Sequence, residues 1–213
     1  MSSYEYVLLD WDGNLAKTLD IWLEACRTPI EARGLELSDE EIAASFGAFG
    51  KFITEWGFPD EVDAILNEAD AIAKQKLPDV ELYPDALEVL EGLNNMGKKL
   101  ALITASPHEN VSHILEKYAI KGLFAAIVGH EDTVQHKPHP EPLEKGLELL
   151  GGNKDRAVMI GDSDKDLGAA MNAGIDSILF YPPEHAKFYN LDTLKKLNPT
   201  HVVTDFRQIL DIV

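Results

Sequence analysis

The chain carries an apolar run near its N-terminus, YEYVLLDWDGNL over residues 4–15, with two closely spaced carboxylates, Asp10 and Asp12. A short apolar run bounded by a turn signal, here Gly13, is typical of a strand buried on both faces of a parallel sheet. In open α/β sheets the carboxyl ends of the strands form the ligand-binding edge, so both aspartates are expected there. Carboxylates crowded at a dry strand end repel one another, which predicts that a cation joins them.

From residue 83 onwards, strand and helix patterns alternate. Further strands are predicted at residues 98–104 (KKLALIT), 125–128, 157–161 (AVMIG), 177–181 and 201–204, with helices between them at 84–96, 110–118, 140–150 and 165–173. Strands that alternate with helices predict a doubly wound parallel sheet, the Rossmann-like α/β class, covered by helices on both faces.

The segment between the first strand and Pro84 has a different character. Helical patterns begin near Thr18, a plausible N-cap, and continue through a capping box formed by Ser38 and Glu41 and a further helix over 61–76. Because no strand pattern interrupts it, this block is predicted to be an inserted all-helical cap. The predicted domains are an α/β core of residues 1–15 and 84–213 and a helical cap of residues 16–83.

The amino-acid composition disfavours several classes of partner and of site. The 213 residues carry a formal net charge of -18, which disfavours nucleic acid and anionic membranes as partners, because both are bound through basic patches. A single cysteine, Cys26, excludes an internal disulfide and is interpreted as a small apolar residue rather than a nucleophile. Neither a signal peptide nor a membrane-spanning run is found, so a cytoplasmic protein is expected.

Polar side chains follow two more of the predicted strands. Thr104, Ala105 and Ser106 close KKLALIT, and the GDSDKD motif with Asp162 and Asp166 follows AVMIG; Lys137 lies in the intervening HKPHP loop. Taken singly, these residues are explained by a helix cap, a solvated turn and an exposed lysine. Their common placement at strand ends, in one order along the chain, predicts instead that they converge on one site.

These motifs resemble the four motifs of the haloacid dehalogenase superfamily, and the resemblance covers the whole chain. The first appears as LLDWDGN, the second as LITAS, the third as HKPHPEP and the fourth as GDSDKD. The helical block resembles the inserted cap of that superfamily. The stretch from VGHED to the fourth motif is similar to phosphoglycolate phosphatases and their relatives.

The resemblance implies a mechanism and a cofactor. Asp10 would be the nucleophile that forms an aspartyl-phosphate, and Asp12 the general acid and then the base that activates water. Thr104, Ala105 and Lys137 would hold the phosphoryl group. Mg²⁺ would be bound by Asp10, the backbone carbonyl of Asp12 and Asp162, with Asp166 beside them.

Some residues depart from the motif or belong to the cap. Asn14 and Lys17 stand where the superfamily usually has Thr and an acid, with Asn14 still able to make a turn hydrogen bond and Lys17 reversing a charge near the hinge. In the cap, a contact loop is predicted over residues 45–51, with Lys51 as a candidate contact to a second anionic group of the substrate. Solvation of Lys51, and packing of Phe46, Phe49 and Trp56 in the cap core, is the alternative. The histidines at 130, 136 and 139 are not interpreted as a metal site, because they lack matching ligands on one element.

The main hypothesis is therefore a Mg²⁺-dependent phosphatase of a small phosphorylated metabolite, phosphoglycolate phosphatase-like and a monomer or homodimer. A sugar phosphomutase of the β-phosphoglucomutase type shares the core motifs and is the first alternative. A non-catalytic binding or regulatory module is the second, although no catalytic position of the motifs is damaged.

Overall fold

The computed structural model describes residues 4–213 and has one parallel β-sheet at its centre. Six strands lie in the order β3-β2-β1-β4-β5-β6, and every neighbouring pair is parallel. Their bounds are β1 Tyr6–Leu9, β2 Lys99–Ile103, β3 Ala126–Val128, β4 Ala157–Gly161, β5 Asp176–Phe180 and β6 His201–Val203. The predicted doubly wound α/β fold is confirmed, and its six predicted strands are all present.

Strand β1 occupies the centre of the sheet, and its alternate side chains face opposite layers. Leu8 lies opposite Ala101 of β2 and Met159 of β4. Val7 and Leu9 belong to one buried apolar cluster, whereas Tyr6 and Leu8 belong to the other. This period-two alternation within a fully apolar run is what a strand covered on both faces requires.

Two layers of helices cover the sheet. Helices α5 Ala86–Asn95, α6 His108–Lys117 and α10 Gln208–Ile212 pack on the face of Val7 and Leu9. Helices α7 Glu141–Leu150 and α8 Asp164–Ala173 pack on the opposite face. The short helix α9 Leu191–Lys195 packs beside β5. The core therefore sits between each sheet face and its helices, which leaves the carboxyl edge of the sheet free for polar loops.

Residues 19–76 form four helices that pack on one another: α1 Leu19–Glu31, α2 Asp39–Ala44, α3 Phe49–Glu55 and α4 Val62–Lys76. Between residues 18 and 80, all of them described, no strand is formed. The predicted capping box is confirmed, because Ser38 Oγ accepts the N–H of Glu41 and the Glu41 carboxylate accepts the N–H of Ser38. The predicted contact loop is only partly a loop, since residues 49–51 form the first turn of α3.

The chain leaves the sheet for these helices and returns at adjacent points. Ala16 and Leu82 form an isolated antiparallel bridge, the N–H of Lys17 donates to the carbonyl of Glu81 at 2.9 Å, and the N–H of Tyr83 donates to that of Leu15 at 2.9 Å. The two crossings therefore lie side by side, and the division into a core and a cap at residues 15/16 and 83/84 stays a prediction. Within the described residues, no helix has the length and apolar character needed to cross a bilayer.

Candidate active site

Three buried carboxylates meet at the carboxyl edge of the sheet. Asp10 follows β1, Asp162 follows β4, and Asp166 lies in the first turn of α8; their exposed fractions are 5%, 1% and 1%. One oxygen from each lies within 4.8 Å of the oxygens of the other two. The parallel sheet places these residues together because β1 and β4 are neighbours in register, so their ends coincide.

The ammonium group of Lys137 binds two of the three carboxylates. Its Nζ lies 2.5 Å from Asp10 Oδ1 and 2.7 Å from Asp166 Oδ1, and it also donates to the carbonyl oxygen of Ile103 at 3.1 Å. The lysine side chain is 7% exposed. The loop between β3 and α7 therefore delivers a desolvated cation into the cluster, which is a strong arrangement for a charge-assisted hydrogen bond.

One lysine does not neutralise this cluster. Burial and, next, the Asp166 carboxylate raise the pKa of Asp10 to about 8, against the opposing effect of Lys137. Burial, together with Asp166 and Asp10, also raises the pKa of Asp162 well above its usual value. The pKa of Lys137 is itself raised, because the attraction of Asp10 and Asp166 outweighs the burial that would lower it. With all three carboxylates ionised, the cluster would carry more negative charge than Lys137 balances, so it favours the uptake of protons or of a further cation.

The donor set fits a divalent cation. Oδ2 of Asp162 is buried and has no hydrogen-bond partner among the described residues. An unpartnered buried carboxylate oxygen is energetically costly unless a cation or proton joins it. All the available ligands are hard oxygens, which is the preference of Mg²⁺. The group of Asp10, Asp162 and Asp166 could thus hold a metal ion, while the predicted set of ligands stays a prediction.

The carboxylate of Asp12 lies beside the cluster and is held from two sides. Its Oδ2 accepts a hydrogen bond from Ser106 Oγ at 2.8 Å and a longer one from Thr104 Oγ1 at 3.4 Å. Its Oδ1 accepts the indole N–H of Trp22, on helix α1, at 2.7 Å. Asp12 is therefore a separate carboxylate beside the cluster, with its orientation set from both the sheet edge and the helices.

A cavity of about 330 Å³ opens above these carboxylates. From the sheet edge it is lined by Asp10, Asp12, Ala105, Lys137 and Asp162. Its opposite wall comes from α1, the α2–α3 connection, α3 and α4. A cavity of this size accommodates a small molecule, with the acidic group at its floor.

A comparison with known protein families identifies the family of the chain. The model of the haloacid dehalogenase-like hydrolase family matches residues 7–180, which include all four predicted motifs. The chain belongs to the haloacid dehalogenase-like hydrolases. The predicted family and the predicted hydrolase class are thereby confirmed.

Individual relatives agree with this assignment. A phosphoglycolate phosphatase of Haemophilus influenzae is 29% identical over 210 residues, which cover 98% of this chain and 82% of the relative. A pyrophosphatase PpaX of Oceanobacillus iheyensis is 25% identical over 217 residues, covering 99% and 97%. The solved structure of a haloacid dehalogenase-like family protein of Streptococcus pneumoniae superposes with a TM-score of 0.82 at 19% identity, covering 100% of this chain and 99% of that one. The last comparison shows the shared fold.

In this haloacid dehalogenase-like hydrolase, the cap candidate Lys51 is not placed at the cavity. Its ammonium group lies 3.5 Å from Glu55 one helical turn away, and its side chain is 72% exposed. Phe46 and Phe49 line the cavity and also pack against the helical core, whereas Trp56 only packs. Lys51 therefore lies in solvent, as the alternative interpretation expected. Phe46 and Phe49 both line the cavity and pack in the helical core.

The two departures from the usual first motif also have defined positions. Asn14 is fully buried and its Nδ2 donates to the carbonyl of Asp10 at 3.0 Å and to that of Ile160 at 3.3 Å, so it ties the ends of β1 and β4 together. Lys17 lies with its Nζ 5.9 Å from the centre of the Tyr83 ring, and it does not line the cavity above the carboxylates.

Several residues at the site carry no signal of their role in the sequence. Trp22 was one position in a helical pattern, and nothing in its spacing indicated a bond to Asp12. Lys165 reaches the cavity from α8, and Tyr189 reaches it from the segment after β5. Cys26 also lines the cavity, but burial raises the pKa of its thiol to about 12, which supports its interpretation as a small apolar residue.

Proposed function

We propose that this chain is a Mg²⁺-dependent phosphatase that hydrolyses a small phosphorylated metabolite through an aspartyl-phosphate intermediate, as a phosphoglycolate phosphatase does. The observation that supports it most is the position of Asp10. Its carboxylate forms part of the floor of the cavity, joins two other buried carboxylates and contacts a desolvated lysine at 2.5 Å. A nucleophile, a charge-balancing cation and a metal site thus occur at one point.

In the first step, a carboxylate oxygen of Asp10 attacks phosphorus, and the bond from phosphorus to the leaving oxygen breaks on the opposite side. Thr104, Ala105 and Lys137 bind the transferring phosphoryl group, with Lys137 offsetting charge on both Asp10 and the phosphate. Positioning and electrostatic stabilisation supply most of the rate acceleration in such transfers.

Asp12 is the proton carrier in this mechanism. It gives its proton to the departing oxygen and then takes a proton from the water that hydrolyses the aspartyl-phosphate, which restores both aspartates. Its hydrogen bonds to Ser106 and Trp22 support this role, since they hold the carboxyl group at the cavity wall beside Asp10.

Mg²⁺, when bound, supplies positive charge to the phosphoryl oxygens and to Asp10. Asp10, the backbone carbonyl of Asp12 and Asp162 would hold it. Asp166 acts beside them, because Oδ1 already binds Lys137 at 2.7 Å and Oδ2 accepts from Ser163 Oγ at 2.6 Å. Its contribution is then to orient Lys137 and to start helix α8.

The helices of residues 16–83 act as a cap that encloses the leaving group and selects it, above a core of residues 1–15 and 84–213. The names of the relatives offer phosphoglycolate and pyrophosphate as candidate substrates. Both are small enough for a cavity of about 330 Å³.

The test is phosphate release from a panel of phosphorylated metabolites that includes both compounds, measured with Mg²⁺ and with a chelator. Metal-dependent release is expected from the native chain and none from Asp10→Asn. Asp155→Asn should retain activity, because Asp155 is exposed and precedes β4, at the end of that strand opposite the carboxylate cluster. Folding of both variants is checked by circular dichroism. Full activity of Asp10→Asn would rule out the mechanism, and interconversion of sugar-phosphate isomers without net release would favour the mutase instead.

A further inference from the structure

The wall of the cavity opposite the carboxylates is apolar. Six side chains from the helical segment form most of it: Leu19, Trp22, Cys26, Phe46, Phe49 and Leu66. Phe46 and Phe49 also pack into the helical core, which fixes them in place. A leaving group that enters this cavity therefore exchanges water for aromatic and aliphatic surface.

The same wall offers no cation to a substrate. Of the described residues that line the cavity, those from the four helices include one charged side chain, Asp70. The carboxylate of Asp70 lies 3.0 Å from the ammonium group of Lys74, and Lys74 is not among the lining residues. A negatively charged leaving group would thus meet an acid and several apolar surfaces on this side.

The two lysines on the sheet side are already paired, and the imidazole of His130 is stacked on a second ring. Lys137 binds Asp10 and Asp166, and the proposed mechanism uses it for the phosphoryl group. Lys165 Nζ lies 3.4 Å from the carbonyl oxygen of Ala44 and 3.6 Å from the carboxylate of Asp164. The ring of His130 stacks on His136, with 4.2 Å between their centres. Lys165 thus extends to the helical segment beside Gly47, but its ammonium group is already paired there with the Ala44 carbonyl and with Asp164, as that of Lys137 is with Asp10 and Asp166.

We propose that the preferred leaving group is an uncharged, apolar alcohol with an aliphatic or aromatic body, rather than glycolate or phosphate. This specificity rests on the proposed phosphatase function. An extra carboxylate or phosphate placed against Trp22, Phe49 and Leu66 would lose part of its hydration without gaining a partner, which is unfavourable. An apolar body gains from burial against the same side chains.

The test compares two esters that differ mainly in this charge: 4-methylbenzyl phosphate and 4-carboxybenzyl phosphate. Both release a benzylic alcohol, and the remote substituent changes the reactivity of the ester little. With Mg²⁺ present, kcat/KM is expected to be about tenfold or more higher for the methyl compound. 2-Phosphoglycolate and pyrophosphate are measured alongside and are expected to be poorer substrates than 4-methylbenzyl phosphate.

A variant with a positive charge on the apolar wall tests the same specificity. Leu66 lines the cavity from α4 and is 37% exposed, so Leu66→Arg is accommodated without burying the new charge. This variant should reduce the preference for the methyl compound by about tenfold. Asn67→Arg adds the same charge at the next, exposed position of α4 outside the cavity lining and should leave the preference unchanged.

The outcomes separate the two proposals. A tenfold preference for the methyl ester in the native chain, reduced by Leu66→Arg but not by Asn67→Arg, supports the inference. Equal turnover of the two esters, a preference for the carboxylated one, or release only from phosphoglycolate or pyrophosphate would overturn it while the phosphatase function stands. No metal-dependent release from any ester, with folded protein, would overturn the proposed function and this specificity with it. If Leu66→Arg does not fold, the comparison of esters in the native chain still decides.

Discussion

Trp22 and Asp12 are joined by a hydrogen bond in which the indole N–H donates to the carboxylate, with 2.7 Å between Nε1 and Oδ1. Trp22 belongs to helix α1, whereas Asp12 belongs to the turn after the central strand. The bond therefore connects the helical segment directly to the proposed proton carrier. Any displacement of α1 would free one oxygen of Asp12, so the position of the helices and the orientation of this carboxyl group are coupled.

Trp22→Phe should lower kcat about tenfold with little change in KM, because it removes the N–H donor but keeps an aromatic ring in the cavity wall. The measurement is steady-state kinetics on any ester that the native chain hydrolyses. Trp56→Phe is the matched control, since Trp56 packs in the helical core without lining the cavity. An unchanged kcat in Trp22→Phe would show that the bond does not orient Asp12 during turnover.

Asp162→Asn should separate metal binding from folding. It removes one of three crowded carboxylates, so the melting temperature in chelator is expected to rise by a few degrees. The native chain should gain stability when Mg²⁺ is added, whereas the variant should gain little and should lose turnover. Differential scanning calorimetry with and without Mg²⁺ measures both effects. An equal stabilisation of the two proteins by Mg²⁺ would place the metal elsewhere.

Gly13→Ala should be far more damaging than Gly97→Ala. Both glycines have a φ of 77°, so alanine introduces backbone strain of about 1 kcal/mol at either site. Only at Gly13 would the new Cβ also collide with Asp162, whose Cγ would lie 2.8 Å away; a Cβ at Gly97 meets nothing within 4 Å. Denaturant unfolding and turnover of the two variants test this. Similar behaviour of the pair would mean that the turn can move without disturbing Asp162.

His185 should make the protein sensitive to mild acid. Burial lowers its pKa to about 3, and its Nε2 lies 2.7 Å from the hydroxyl oxygen of Tyr83. Between pH 6.5 and about pH 3, the pKa values of this residue in the unfolded and folded chains, the imidazole is protonated in the unfolded chain but neutral in the folded one. The free energy of unfolding therefore falls with decreasing pH, by about 2 kcal/mol from pH 7 to pH 5 for this residue alone.

The matched variant is His185→Gln, which offers Tyr83 a polar partner but does not titrate. Denaturant unfolding at pH 7 and pH 5 should show a smaller loss of stability in the variant than in the native chain. The same loss in both proteins would assign the acid sensitivity to other groups.

The α/β fold and the polar residues at the floor of the site could be predicted from the sequence, because both depend on the positions of the strands. Parallel strands end at one edge of their sheet, so Asp10, Asp162 and Lys137 could be placed together from their positions after or between apolar runs. The alternation of Tyr6 and Leu8 with Val7 and Leu9 between the two apolar clusters shows why that run had to be a central strand.

The upper part of the site could not be found in the same way. Helical patterns predicted a helical block with starts near those of α1, α2 and α4, but they did not define how the helices sit over the sheet. Trp22 reaches Asp12 only because of that tertiary arrangement, and Lys51 is left in solvent beside Glu55 because its part of α3 faces away from the cavity. The start of α3 at Phe49 was also missed, since the glycines around it indicated a loop.

The strand order has a consequence for synthesis of the chain. Strand β1 carries the proposed nucleophile and lies between β2 and β4, which are encoded about 90 and 150 residues later. The apolar segment Tyr6–Leu9 therefore leaves the ribosome well before either of its hydrogen-bonding partners exists. Long-range parallel pairing of this kind forms slowly. The central strand is thus the first to be made and among the last to be enclosed, and the acidic cluster assembles only after residue 166 has emerged.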